Sequence, residues 1–114
     1  MSIIRSELLR GTLDMMILKT LTLEPMHGWG IAQRLRRYSD EVLDVNQGSL
    51  YPALRRLQRR GWVTSEWDTT DNQRRARYYT LTATGRAQLD QEERHWRESS
   101  AAVNRVLDLA MDAR

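Results

Sequence analysis

The side chains with most to offer chemically are arginines. Arg55, Arg56, Arg59 and Arg60 fall within one stretch, Asn46 to Gly61 (NQGSLYPALRRLQRRG), with no acidic residue three or four places away to neutralise them. A guanidinium is a planar fork of donors without an acceptor, so it binds anions: carboxylates, phosphates or the edge of guanine. Arg74, Arg75 and Arg77 follow soon after, so residues 46–77 hold seven arginines against Glu66, Asp68 and Asp71. From Thr82 onward five arginines face six acids. The basic surface is therefore local, and its natural counter-charge is a polyanion.

Other chemistry has less to work with. There is no cysteine, hence no disulfide, thiolate site or thiol nucleophile. His27 and His95 stand far apart without an acidic cluster at metal spacing. Ser99 and Ser100 are read as lacking a nearby base, and Glu92 with Glu93 as a surface acidic patch. The glycines are isolated, so no phosphate loop is expected. No catalytic residue, metal or cofactor is assigned, and the expectation is a protein that is not an enzyme.

Length and charge narrow this further. The 114 residues make one domain whose own core is modest, and the formal charge of +3 is carried almost wholly by arginine, 17 of 18 basic residues. That bias alone says little. The N-terminus MSIIRSELLRG lacks an apolar signal region, and no segment approaches the ~18 apolar residues of a membrane span. A cytoplasmic protein without a membrane partner is expected.

The arginines need a scaffold, and the patterns supply one. In residues 46–61, Leu50, Leu54 and Leu57 line one helical face; Gly48, Pro52, Arg55 and Arg59 fall opposite, with Tyr51 and Arg56 on the flanks. Asn46 to Ser49 carry turn and cap chemistry, and Pro52 is placed in the first turn. Upstream, Leu13–Leu23 reads as a helix with Leu13, Met16, Ile17 and Thr20 inward. Ile31–Tyr38 reads as a second, with Ile31, Leu35 and Tyr38 inward and His27, Gly28 and Gly30 as its opening turn. The piece Ile3–Arg10 either extends the first helix or docks on a partner. Val42, Leu43 and Val45 are candidates to pair with a sheet edge. Downstream, Trp62–Trp67 and Arg75–Leu81 alternate as two hairpin arms around the polar turn DTTDNQ. Thr82 is read as the cap of a last helix running to about Asp112, on which Leu89, Trp96, Val103 and Ala110 recur every seven residues and Glu93, Ser100 and Leu107 fill the alternate position. The fold class expected is mostly α with a small β-hairpin, a winged helix-turn-helix over residues 1–81 and a long C-terminal dimerisation helix over 82–114.

These stretches together resemble the PadR-like transcriptional regulators, in the short branch with a single C-terminal helix. The matching pieces are Pro25 with HGWGI (His27–Ile31), QGSLYPALRRL (Gln47–Leu57), RGWV (Arg60–Val63) and RRARYYTLTATG (Arg74–Gly85), in that order. The resemblance implies a homodimeric repressor that binds double-stranded DNA at a pseudo-palindromic operator. Ser49, Tyr51 and Pro52 match the recognition-helix motif, and Arg74 and Arg75 the basic wing. Asn72 and Gln73 depart from it, standing where many relatives have glycine.

On that footing Gln47, Ser49, Tyr51 and Arg55 are the candidates for base edges, and Arg56, Arg59, Arg74 and Arg75 for phosphates. Tyr51 is the first choice for direct contact, its alternative being to pack on the wing, while Arg60 has the alternative of covering a core edge. Dimerisation is assigned to Leu89, Trp96, Val103, Leu107 and Ala110. Trp96 has two readings. Some proteins resembling this one hold a planar aromatic effector between the two C-terminal helices beside a tryptophan; the plainer and preferred reading is that Trp96 supplies interface area. Trp29, Trp62 and Trp67 are expected in the core or the sheet. The rival to operator binding is a winged-helix protein-interaction module that dimerises without reading DNA.

Overall fold

A computed structural model describes residues 4–5 and 12–110. Most of the piece Ile3–Arg10 and the expected helix end near Asp112 lie outside the described residues. Three short helices carry the core: α1 (Leu13–Thr20), α2 (Gly28–Tyr38) and α3 (Gln47–Arg59). Ile17 and Leu18 from α1, Ile31 from α2, and Leu50, Leu54 and Leu57 from α3 are fully buried against one another. Apolar residues spaced at helical period on three elements thus converge on one interior.

The helix boundaries differ from the periodic reading for local reasons. α1 stops at Thr20, short of Leu23, because the Thr20 and Thr22 hydroxyls turn back to donate to the carbonyls of Ile17 (2.8 Å) and Lys19 (2.7 Å). Leu23 is left exposed. α2 begins three residues early, since the His27 ring accepts from the Gly30 N–H through Nδ1 (3.0 Å) and caps the helix. Gly28 and Gly30 are thus inside the helix rather than in a turn. Tyr38, expected inward, ends α2 at 65% exposure. Asn46 caps α3 by accepting from the Ser49 N–H (2.9 Å), which puts Pro52 in the second turn instead of the first. The missing Pro52 N–H leaves the Gly48 carbonyl without its helical donor.

The wing is a hairpin of β4 (Val63–Thr69) and β5 (Arg75–Leu81), paired in register from Val63 opposite Leu81 to Thr69 opposite Arg75. Gln73 closes its turn at φ 61°, the left-handed conformation that glycine adopts without strain. A two-residue strand, β2 (Met26–His27), adds to the other edge of β5, giving the order β2-β5-β4. Sequence patterning missed it. The segment read as able to pair with a sheet edge forms β3 (Leu43–Asp44), which pairs in parallel with β1 (Ile4–Arg5) as a separate two-stranded sheet.

Thr82 caps α4 (Ala83–Leu107) as expected, accepting from Gly85 N–H (2.9 Å) while donating to the Gly61 carbonyl (2.7 Å). The helix start is thereby tied to the base of the wing. At 25 residues α4 is about 37 Å long. It packs on α1 through Leu89 and then leaves the body, stretching the molecule to 62 Å.

Candidate nucleic-acid interface

With Leu50, Ala53, Leu54 and Leu57 committed to the core, the opposite side of α3 is set by geometry. Gln47, Tyr51, Arg55 and Arg59 are exposed there, and Ser49 and Pro52 are half-buried. The helix N-terminus, the partly positive end of the α3 dipole, lies beside Gln47 and Ser49. Tyr51 is less free than its neighbours. Its ring lies over Gly28 of α2, where a Cβ would come within 2.8 Å of the ring edge and 2.9 Å of the hydroxyl. Gly28 is glycine because a neighbouring helix needs that space. Accordingly Gly28→Ala should leave the melting temperature nearly unchanged but swing Tyr51 aside, weakening DNA binding about tenfold; an unaltered affinity in a titration with labelled duplex would remove Tyr51 from the interface.

The wing stands beside this face. Arg74, Arg75 and Arg77 are exposed, and the guanidiniums of Arg75 and Arg77 lie 5.2 and 5.3 Å from the centre of the Trp67 ring. Where the wing meets α3, burial pushes the Tyr79 phenol above its ordinary range; the nearby Arg77 and Arg55 charges work against that shift and Tyr51 adds to it. Tyr79 thus marks where α3 and the wing approach one another, with Arg55 on one element and Arg77 on the other.

Several expected roles change. Arg56, assigned to phosphate, donates to the Asp14 carboxylate of α1 at 2.9 Å, an ion pair that joins two core helices and leaves the arginine side chain 41% exposed. Its neutralising acid lies 42 residues away in sequence and so escaped a search along the helix. Arg60 stacks on Trp62 at 5.1 Å, covering a core edge. Trp29 belongs neither to core nor sheet: it is 59% exposed on the first turn of α2. Ser99 does have a base in reach, the His95 Nε2 at 3.5 Å one helical turn back. That contact is exposed and long, and the neighbouring Glu92 accepts from Gln88 rather than orienting the His95 ring. No cluster able to hold a metal occurs among the described residues.

A basic recognition helix beside an arginine-bearing wing is the architecture of a DNA-binding regulator, and the comparisons agree. The sequence model of the transcriptional regulator PadR-like family matches residues 17–91. The chain belongs to this family. A transcriptional regulator of Mycobacterium tuberculosis is 33% identical over 97 residues, 85% of this chain and 87% of that protein. A transcriptional regulator from Clostridium thermocellum superposes with a TM-score of 0.79 at 27% identity, covering 88% of this chain and 97% of that one. A PadR-like regulator from Bacillus cereus gives 0.77 at 27% identity, covering 92% and 100%. PadR-like proteins are transcription regulators that bind DNA and are not enzymes. No helix among the described residues is long and apolar enough to cross a membrane.

The PadR-like α4 carries the rest of the expected sites. Leu89 is 3% exposed and belongs to the chain's own core, so it has no surface to share with a partner. Glu93, polar on the expected seam, is held by Arg97 (2.8 Å) and approached by Lys19 of α1 (3.8 Å). The Arg97 hydrogen bond, with Lys19 next, keeps its carboxyl below the ordinary range. Beyond it Trp96, Val103, Val106 and Leu107 are exposed, as is Ala110 after the helix end. Trp96 also borders a groove of about 450 Å³ between α4 and α1, with Met15, Glu92 and His95 along its walls.

Proposed function

We propose that this PadR-like regulator is a homodimeric, sequence-specific repressor. Its α3 enters the major groove at each half of a pseudo-palindromic operator, the half-sites lying about one helical turn, ~34 Å, apart. Gln47, Ser49, Tyr51 and Arg55 meet base edges; Arg59, Arg74 and Arg75 take phosphates. The observation that carries this reading is the shared side of α3 and wing, whose arginines, Arg56 aside, have no acid bonded to them among the described residues. Dimerisation rests on the uncovered apolar stripe of α4, Trp96, Val103 and Leu107 leading to Ala110. A planar aromatic effector seated beside Trp96 would bear on both subunits and alter the angle between their wings.

A gel shift tests the reading, using DNA from the protein's own promoter region, unrelated DNA as competitor and a salt series. A retarded band that survives competition is expected, with log affinity falling about 0.9 per phosphate neutralised for each unit of log salt. Binding abolished by competitor at moderate salt would leave an interaction module in its place. Within a positive result, Arg55→Ala should erase discrimination among operator variants and Arg75→Ala should weaken all duplexes alike. Equal losses of specificity from both would sink that division of roles.

A further inference from the structure

The geometry points to the cleft between α2 and the wing as the seat of one DNA backbone strand, with Trp29 and Trp67 as its two walls. This rests on the DNA-binding function but not on operator recognition. The cleft has a volume of about 870 Å³ and opens beside Tyr51, so it continues the face that α3 presents. Its walls come from elements that share no sequence neighbourhood: the first turn of α2 on one side, the wing strands on the other.

Both indoles are more than half exposed, at 59% and 55%, an unfavourable state for large apolar rings unless something covers them. Both are also fixed. Trp29 stacks on His27 with 6.2 Å between ring centres and 24° between planes. His27 is locked in turn by its bond from Gly30 and by an edge contact with Tyr78 at 5.2 Å. Trp67 lies under the Arg75 and Arg77 guanidiniums, which it pre-orients, so it acts as a positioning residue for two cations. Two acids also border the cleft: Glu24, 3.4 Å from Arg34, and Asp71 in the wing turn. Arg74, Arg75 and Arg77 outnumber them.

Apolar walls with an excess of fixed guanidiniums match a sugar–phosphate strand. Deoxyribose lies against an indole face, the indole N–H donates to a phosphate oxygen, and the guanidiniums neutralise its neighbours. None of these contacts depends on base identity. They place the duplex so that α3 can read it.

Fluorescence anisotropy with labelled promoter duplex and unrelated duplex, each over a salt series, tests the cleft in full-length Trp29→Ala, Trp67→Ala and Trp67→Phe. Trp29→Ala should lose about tenfold on both duplexes with the salt slope kept, since the indole is neutral. Trp67→Ala should lose a similar factor and flatten the slope by about 0.9 for each phosphate its arginines release. Trp67→Phe keeps an aromatic face and should recover most of both. Circular dichroism verifies folding, and the phenylalanine variant separates loss of the ring from loss of the strand. Wild-type affinity and slope in both alanine variants would overturn the proposal. So would a loss confined to one duplex. A wild-type protein that binds both duplexes equally refutes operator recognition and leaves the cleft standing, whereas one that binds neither refutes both.

Discussion

Gly85→Ala should cost about 3 kcal/mol of stability, against the usual gain from replacing glycine inside a helix. A Cβ on Gly85 would collide with the Trp62 carbonyl oxygen, and would stand 2.9 Å from the Trp62 carbonyl carbon and 2.8 Å from the Leu81 side chain. The nearest obstacle is backbone, which cannot rotate aside. The first turn of α4 would have to lift from the wing base, disturbing the bonds from Thr82 N–H to the Trp62 carbonyl (3.1 Å) and from the Thr82 hydroxyl to the Gly61 carbonyl (2.7 Å). Alanine's better helix propensity returns only about 1 kcal/mol, so steric overlap and cap loss win. Thermal unfolding followed by circular dichroism should show a fall of about 10 °C or more. A variant melting at or above the wild-type temperature would mean that the junction has slack that the geometry does not show.

That junction also shows what a sequence conveys and what it withholds. Leu50, Leu54 and Leu57 announce α3, the alternation through Val63 and Tyr79 announces the wing, and Thr82 announces the start of α4, because period and cap chemistry are local properties. The PadR-like resemblance of the motifs supplied the order of elements, and the structure and comparisons bear it out. What stayed hidden depends on partners remote in sequence. Gly28 and Gly30 look like turn glycines, yet the His27 cap puts them inside α2, and they are glycine because a Tyr51 ring and a Met26 side chain occupy the space a Cβ would need. β2 is too short to show alternation and exists only by pairing with β5. Arg56 looked available until α1 brought Asp14 to it. Trp67 lies in the sheet as expected and Trp29 does not, yet both line a cleft, since hydrophobicity alone does not say which face of an element is left open.

If the proposed dimer forms through α4, Val103→Asp should convert it to monomers and lower affinity for the proposed operator by about a hundredfold or more. Val103 is 56% exposed within its own chain, so a carboxylate there meets water in the monomer and leaves the fold intact. On the stripe of Trp96, Val103, Val106 and Leu107 the positions recur at helical spacing, and among the described residues all four stay exposed, Trp96 at 47% and the others above half. Facing a second copy, an aspartate on this stripe would be buried without a counter-charge, at a cost of several kcal/mol per subunit. The effect on DNA follows from linkage. Two tethered recognition helices bind two half-sites with the second event intramolecular, and a monomer forfeits that advantage of about 10²–10⁴. Light scattering gives the mass and anisotropy the affinity. Asn104→Asp makes the same charge change one residue on, about 100° around the helix, and should keep the dimer. If Val103→Asp stays dimeric with full affinity, the α4 stripe is not the interface. If both variants dissociate, charge alone is responsible and the stripe carries no specific packing.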